Sequence, residues 1–237
     1  MNSSRINRVL QVLSLVACNP EPTQLKDIGL KLGLHPSMVS RIVADLIAGG
    51  LLAKVAYRSV VGTPELALLG KKAGENHPLS RIGREILHKP MEEMALSCEF
   101  VTVVRGGLFH FYKVYRGTPA QQFLWRSDAA AVIFAARGDE WEQVMEELSH
   151  AAPEEEILNA FAFFRERFLA AQESRSLINH HSGRYWQLSL PFQCGPTHCA
   201  LSVAGTAGTD MDKVFYTCSR LTAAIRSRCK ELSDRDA

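Results

Sequence analysis

Five side chains within seven residues carry the chain's most readable chemistry: His35, Ser37, Met38, Ser40 and Arg41. On a helix opening at Pro36 they point away from a stripe made of Val39, Ile42, Val43, Leu46 and Ile47. Serine hydroxyls donate and accept hydrogen bonds. Arginine presents a fork that matches the acceptor edge of guanine, and methionine offers an apolar surface. A helix carrying this set in a major groove can read base edges and hold phosphates.

The flanking elements suit that use. Leu25, Ile28 and Leu32 share one face of a preceding short helix. Thr23 and Gln24 open it and count among the candidate DNA contacts. Gly33 sits where that helix must stop, because glycine accepts the left-handed backbone of a helix end. Leu34 plugs the turn, and Pro36 suits a first helical turn, where a missing N–H costs nothing. Upstream, Ile6, Val9, Leu10, Leu13 and Val16 form the stripe of a third helix. Downstream, Gly49-Gly50 ends the second helix, and Leu51–Val55 and Tyr57–Gly62 read as two short strands. Three helices and a hairpin make a winged helix-turn-helix, with Lys54 and Arg58 of the wing facing the DNA backbone. Two short helices joined at a glycine also occur in plain helical cores, so a winged helix that binds protein, in a sensor or adaptor, stands as the alternative.

Charge points the same way. The net charge is +2, but residues 1–76 hold 9 Lys/Arg against 5 Asp/Glu, and residues 77–237 hold 18 against 20. A basic head on a slightly acidic body fits DNA binding coupled to regulation. No run of about 18 apolar residues is present to span a membrane, and no basic-then-apolar leader opens the chain. The expected location is the cytoplasm. The six cysteines, Cys18, Cys98, Cys194, Cys199, Cys218 and Cys229, are then expected to be reduced thiols.

The domain plan is residues 1–63 for the winged helix, 64–77 for a linker helix and 78–237 for a mixed α/β domain, an α+β protein overall. Pro64–Ala73 reads as the linker helix, and Gly74–Pro78 as a breaker cluster at the boundary. Leu79–Ser97 is helical in pattern. Phe100–Val104 and Leu108–Tyr115 form a hairpin around Gly106-Gly107, and Gln121–Trp125 reads as a further strand. Ser127–Arg137, Trp141–Ser149 and Glu154–Gln172 are helices. Tyr185–Gln193 and His198–Ala204 make a second hairpin, and Met211–Leu232 a long final helix. A sheet curling against Ser127–Arg137 and a loop at Ser176–Arg184 leaves a pocket. Trp125 and Trp186 supply its walls. Ser127, Asn179, Gln187, Ser189 and Ser202 supply hydrogen bonds, and Arg126 or Arg184 offsets an acid's charge.

Other constellations are weak. Cys194-x-x-x-His198-Cys199 with His180-His181 has metal-type ligands without the paired spacing of zinc sites. Ser202 lacks the strand-to-helix elbow of a hydrolase nucleophile. A metal- or thiol-dependent enzyme in the second half is therefore the remote alternative. No catalytic residue, cofactor or metal is assigned. Phe161, Phe163, Phe164 and Phe168 read as core, although Phe163 cannot share a face with all the others.

Over its whole length the chain resembles the isocitrate lyase regulator (IclR) family of transcription regulators. The resemblance is carried by Asn7-Arg8-Val9-Leu10, by Leu25-Lys26-Asp27-Ile28 through Ser40-Arg41-Ile42-Val43-Ala44-Asp45-Leu46, and by Val61-Gly62 with Leu66–Gly70. Pro90–Ala95 with Cys98-Glu99, Ser189–Phe192 and Ala200–Gly205 follow in the family's order. The resemblance implies a GAF-like effector domain, a double-stranded DNA operator, a homodimer or homotetramer, and repression or activation switched by a small organic acid or aromatic. The chain departs from the family in the effector half. Phe123–Asp128 replaces a glycine-rich segment, and Ala130-Ala131-Val132 replaces Gly-Lys-Ala. An acidic pocket position falls on Asn179, and a common cysteine on Gln187.

Overall fold

The computed structural model describes residues 5–104, 106–116, 124–151, 157–181 and 184–234. The chain divides into two compact units, residues 1–73 and 74–237.

In the first unit, α1 (Arg5–Ala17), α2 (Leu25–Leu32) and α3 (Pro36–Ala48) pack around Val12, Val16, Ile28, Val39, Val43 and Leu46. The strands β1 (Thr23–Gln24), β2 (Leu52–Ala56) and β3 (Ser59–Gly62) form an antiparallel sheet in the order β1-β3-β2. Gly33 ends α2 at φ +61°, and its N–H closes on the Gly29 carbonyl. A Cβ at Gly29 would stand 3.1 Å from the Leu34 carbonyl oxygen, so glycine lets the turn fold back on α2. The first wing strand keeps its expected length but starts one residue later, at Leu52, and the second is shorter than its pattern suggests, starting at Ser59. Tyr57 and Arg58 form the hairpin tip, with Arg58 in the left-handed region at φ +56°. The helix α4 (Pro64–Asn76) follows, and the boundary between units falls inside it. Gly74–Asn76 therefore continues that helix instead of breaking it.

Among the described residues, the second unit is a five-stranded sheet between two helical layers. Its strands are β4 (Ser97–Val104), β5 (Gly107–Val114), β6 (Leu177–His181), β7 (Tyr185–Cys194) and β8 (Thr197–Thr206). Their order is β5-β4-β8-β7-β6, with every neighbouring pair antiparallel. One face packs against α5 (Pro78–Glu93) and α9 (Met211–Ser233) through Leu87, Met91, Phe100, Leu188, Leu201 and Ile225. The other packs against α6 (Asp128–Arg137), backed by α7 (Trp141–Ala151) and α8 (Ile157–Ser174). Residues 128–134 of α6 are all buried, because the helix is sandwiched between sheet and α8 and its alanines permit close approach on every side. None of the described helices is long and apolar enough to cross a membrane.

Several sequence expectations are corrected. Leu177–His181, expected as loop, is edge strand β6. Its backbone pairs with β7, and its pattern is weak because Ile178 faces outward at 47% exposure. Leu124–Arg126 forms a 3-10 turn, not a strand; Gln121–Phe123 lies outside the described residues, as does the acidic run Glu154–Glu156. The helix expected to reach Ser97 stops at Glu93, since Ser97 already pairs with Ala204. Phe164 and Phe168 are core, whereas Phe163 is exposed beneath the Arg167 guanidinium.

All six cysteines are free thiols. Cys98, Cys194, Cys199, Cys218 and Cys229 are buried on the α5/α9 side of the sheet. Burial pushes Cys218 and Cys229 up to about 12, so they are inert, protonated core residues. No cluster among the described residues is arranged to hold a metal ion.

Candidate functional site

The first candidate site is the outward side of α3. His35, Ser37, Ser40 and Arg41 are exposed there, and Met38 is half-buried. His35 caps the helix: its backbone is extended, and its Nδ1 accepts the Ser37 N–H at 3.3 Å. The same Nδ1 lies 2.8 Å from Ser37 Oγ, so these two residues orient each other as they start the helix.

The sequence pattern missed the contribution of α1. Arg8 Nη1 donates to Met38 Sδ at 3.4 Å, and Arg5 Nη2 meets Asp45 Oδ2 at 3.2 Å. Arg5, Arg8, Ser37, Met38, Arg41, Ile42 and Asp45 line a groove of ≈ 300 Å³. Three guanidinium groups against one carboxylate make this groove cationic. The Arg5–Asp45 pair is exposed on both sides and worth at most about 1 kcal/mol, so a phosphate can displace the aspartate cheaply. The signal available in the sequence was Arg5 and Arg8 at i, i+3, one face of one helix.

On the wing, Lys54 and Arg58 are exposed, and the Arg58 guanidinium lies 5.1 Å from the Tyr57 ring centroid. Gln24 is exposed as well. Thr23 is a correction. It is buried in β1, its Oγ1 accepts from Asn19 Nδ2 at 3.0 Å, and its side chain fastens the α1–α2 connection instead of facing DNA.

The second candidate site is a polar row on the α6 face of the sheet. Residues paired across adjacent strands share a face. Asn179 pairs with Gln187, Ser189 with Ser202, and Ser202 with Glu99, so the row crosses β6, β7, β8 and β4. Gln187 Nε2 donates to Ser202 Oγ at 2.9 Å, and the Ser189 and Ser202 hydroxyls are 2.8 Å apart. At one end, the fully buried Asp128 accepts from Asn179 Nδ2 at 2.6 Å and from Arg167 Nε at 2.7 Å. Ser127 caps α6 by accepting the Ala130 N–H at 3.1 Å.

At the other end, Glu99 Oε1 accepts the Tyr115 hydroxyl at 2.6 Å and lies 3.9 Å from His110 Nε2. Burial raises the Glu99 carboxyl above its ordinary range against the opposing Tyr115 hydrogen bond and the Lys113 charge. Burial, with Lys113 nearby, lowers His110 to about 4. Burial first, and then the hydrogen bond to this carboxylate, raise Tyr115.

The structure brings together Ser127, Asn179, Gln187, Ser189 and Ser202, with Trp125 buried in the same layer. It does not bring Trp186. Successive strand residues point to opposite faces, so Trp186 lies on the α9 side, its Nε1 bonded to the Thr206 carbonyl at 3.0 Å. Arg126 and Arg184 are exposed. Asp128, Arg167, Glu99, His110 and Tyr115 were not anticipated. Only β4's alternation, with Phe100 on one face and Glu99 and Val101 on the other, carried a signal for Glu99.

Residues 6–56 match the family model of the IclR helix-turn-helix domain. Among curated proteins no sequence matches the chain. In fold it is similar to an IclR family transcriptional regulator from Brucella abortus, with TM-score 0.70 at 15% identity over 95% of this chain and 92% of that one. An IclR transcriptional regulator from Alicyclobacillus acidocaldarius is similar at TM-score 0.60 and 15% identity, covering 97% of this chain and 100% of that one. An IclR homologue from Microbacterium hydrocarbonoxydans, complexed with 4-hydroxybenzoate, is similar at TM-score 0.58 and 14% identity, covering 96% and 100%. At these identities the likeness is one of fold.

Proposed function

We propose that this chain, whose N-terminal unit is an IclR-type helix-turn-helix domain, is a transcription regulator that grips operator DNA through α3, the arginine groove and the wing, under control of a small effector. The observation that carries the reading is the exposed set Ser37, Ser40 and Arg41 beside Arg5 and Arg8. The α3 side chains offer base-edge chemistry, and the arginines offer phosphate contacts.

One recognition helix spans too few base pairs to define a genomic site. The helix α4 buries none of its residues, and it exposes Leu68 at 49% and Leu69 at 53%. We read this helix as part of a homodimer interface, alone or within a tetramer. The operator is then a near-palindrome with half-site centres about 10 base pairs apart or a multiple of that.

The effector site in this reading is the polar row with Trp125. The fold relative that holds 4-hydroxybenzoate supports a small-molecule ligand in this architecture. Binding switches the protein only to the extent that the ligand prefers one state over the other.

Titration of the full chain onto a labelled duplex at rising salt tests the DNA reading. Phosphate contacts release counterions, so log K should fall with log salt by about 0.9 for each phosphate neutralised. Lys54→Ala and Arg58→Ala should each flatten that slope. Salt-independent retention, or retention of protein partners alone, would establish the adaptor reading instead.

A further inference from the structure

Resting on the effector-site reading above, we infer that the ligand of the polar row is a cation, a protonated amine or amidine, and that Glu99 receives its charge.

The argument is a charge inventory of one sheet face. Glu99 is the third residue of β4, at 7% exposure. Its described contacts are the Tyr115 hydroxyl and, at 3.9 Å, His110. The imidazole does not neutralise it, because burial and the neighbouring Lys113 hold His110 uncharged. Lys113, the cross-strand partner of Glu99 on β5, acts on the carboxyl against burial, but it is solvent-exposed and makes no ion pair with it. The other carboxylate of the row, Asp128, is saturated by Arg167 and Asn179. Arg126 and Arg184, which would meet an acid, are exposed. Among the described residues, Glu99 is thus the row's carboxylate that no lysine or arginine pairs with.

That arrangement selects by sign. An anionic ligand in the row would add a second negative charge where water screens poorly. An ammonium would pair with Glu99, and its remaining N–H groups would find acceptors in the hydroxyls of Ser202 and Ser189 and the Gln187 amide oxygen. The Tyr115 ring borders the same carboxylate and suits a cation's face. This sign is opposite to the acid effector that the family resemblance implies.

The test pairs ligands of matched shape and opposite charge: butylamine against butyrate, and benzylamine against benzoate. Thermal shift and calorimetry on the full chain read the binding. At least one amine should raise the melting temperature while its matched acid does not. In Glu99→Gln, which keeps the shape and removes the charge, amine affinity should fall about tenfold or more, as expected for a buried charge partner removed. Failure of all amines, an acid that binds, or an amine that binds Glu99→Gln unchanged would overturn the inference. Ser202→Val, or Ser202→Thr where the first does not fold, separates this from failure of the site reading. An acid that binds the wild type and is lost in the Ser202 variant leaves the site and removes only its charge preference. A ligand of either charge that binds the Ser202 variant unchanged places the effector elsewhere.

Discussion

Removing the Asp128 carboxylate is the sharpest probe of the second unit's construction. Asp128 is fully buried at the first turn of α6 and holds two donors, Arg167 Nε at 2.7 Å and Asn179 Nδ2 at 2.6 Å. It thereby ties α6 to α8 and to β6. In Asp128→Ala the Arg167 guanidinium, 15% exposed, keeps its charge and loses its counter-ion. Breaking a buried pair from one side costs about 3–5 kcal/mol. Arg167 retains the Phe163 ring, 3.5 Å from its guanidinium carbon to the centroid, and some water, so the lower end, about 3 kcal/mol, is expected. Asp128→Ala combined with Arg167→Met removes both charges and should cost clearly less than the sum of the single changes, with a coupling of about 2 kcal/mol. Urea unfolding followed by tryptophan fluorescence measures this cleanly. Trp125, Trp141 and Trp186 are the chain's 3 tryptophans, and all lie in the second unit. A single-variant loss under about 1 kcal/mol, or additivity in the double variant, would refute the claim that this pair holds the layers together.

Arg41→Ala should lower affinity for the operator by about 1–3 kcal/mol while sparing random DNA, in competition binding; an equal loss on both would make Arg41 a phosphate clamp. Leu68→Asp with Leu69→Asp should convert a dimer to monomer by light scattering and abolish tight binding to a palindrome, and an unchanged mass would remove α4 from the interface. Glu99→Gln should be more stable than wild type at neutral pH, because the folded carboxyl titrates above its unfolded value and its ionisation therefore opposes folding. That advantage should shrink as pH falls through the raised folded value and vanish below the ordinary glutamate range, as read by melts across pH. Gly205→Ala places a Cβ 2.6 Å from Trp186 Cζ2 and 2.7 Å from Leu96 Cδ2, an overpacking expected to cost about 1–3 kcal/mol in urea unfolding.

The helix-turn-helix head was legible because its information is local. Helix faces repeat every few residues. Gly33 marks a left-handed stop, and Pro36 marks a helix start. The set His35, Ser37, Ser40 and Arg41 follows from that spacing alone, and the structure leaves all four exposed. Thr23 failed the same logic because its burial depends on β1 pairing with β3, a contact between Thr23 and Val60 that no local pattern announces.

In the second unit the sequence by itself determined the helices, both hairpins and most of the polar residues of the row. Only the tertiary structure decided which side of the sheet each residue serves. Strand β7 is buried on both faces, so Trp186 and Gln187 look alike in sequence and lie in opposite layers. The edge strand β6 exists because β7 supplies its hydrogen bonds, not because Leu-Ile-Asn-His-His favours extension. The charge of Glu99 acquired its meaning in the same way. A glutamate beside Cys98 is unremarked in a list of residues. Packed between Ser202 and Lys113 at 7% exposure, it is a desolvated carboxyl whose titration is shifted upward, because desolvation and neighbouring charges are properties of the packed interior, and sequence spacing does not encode them.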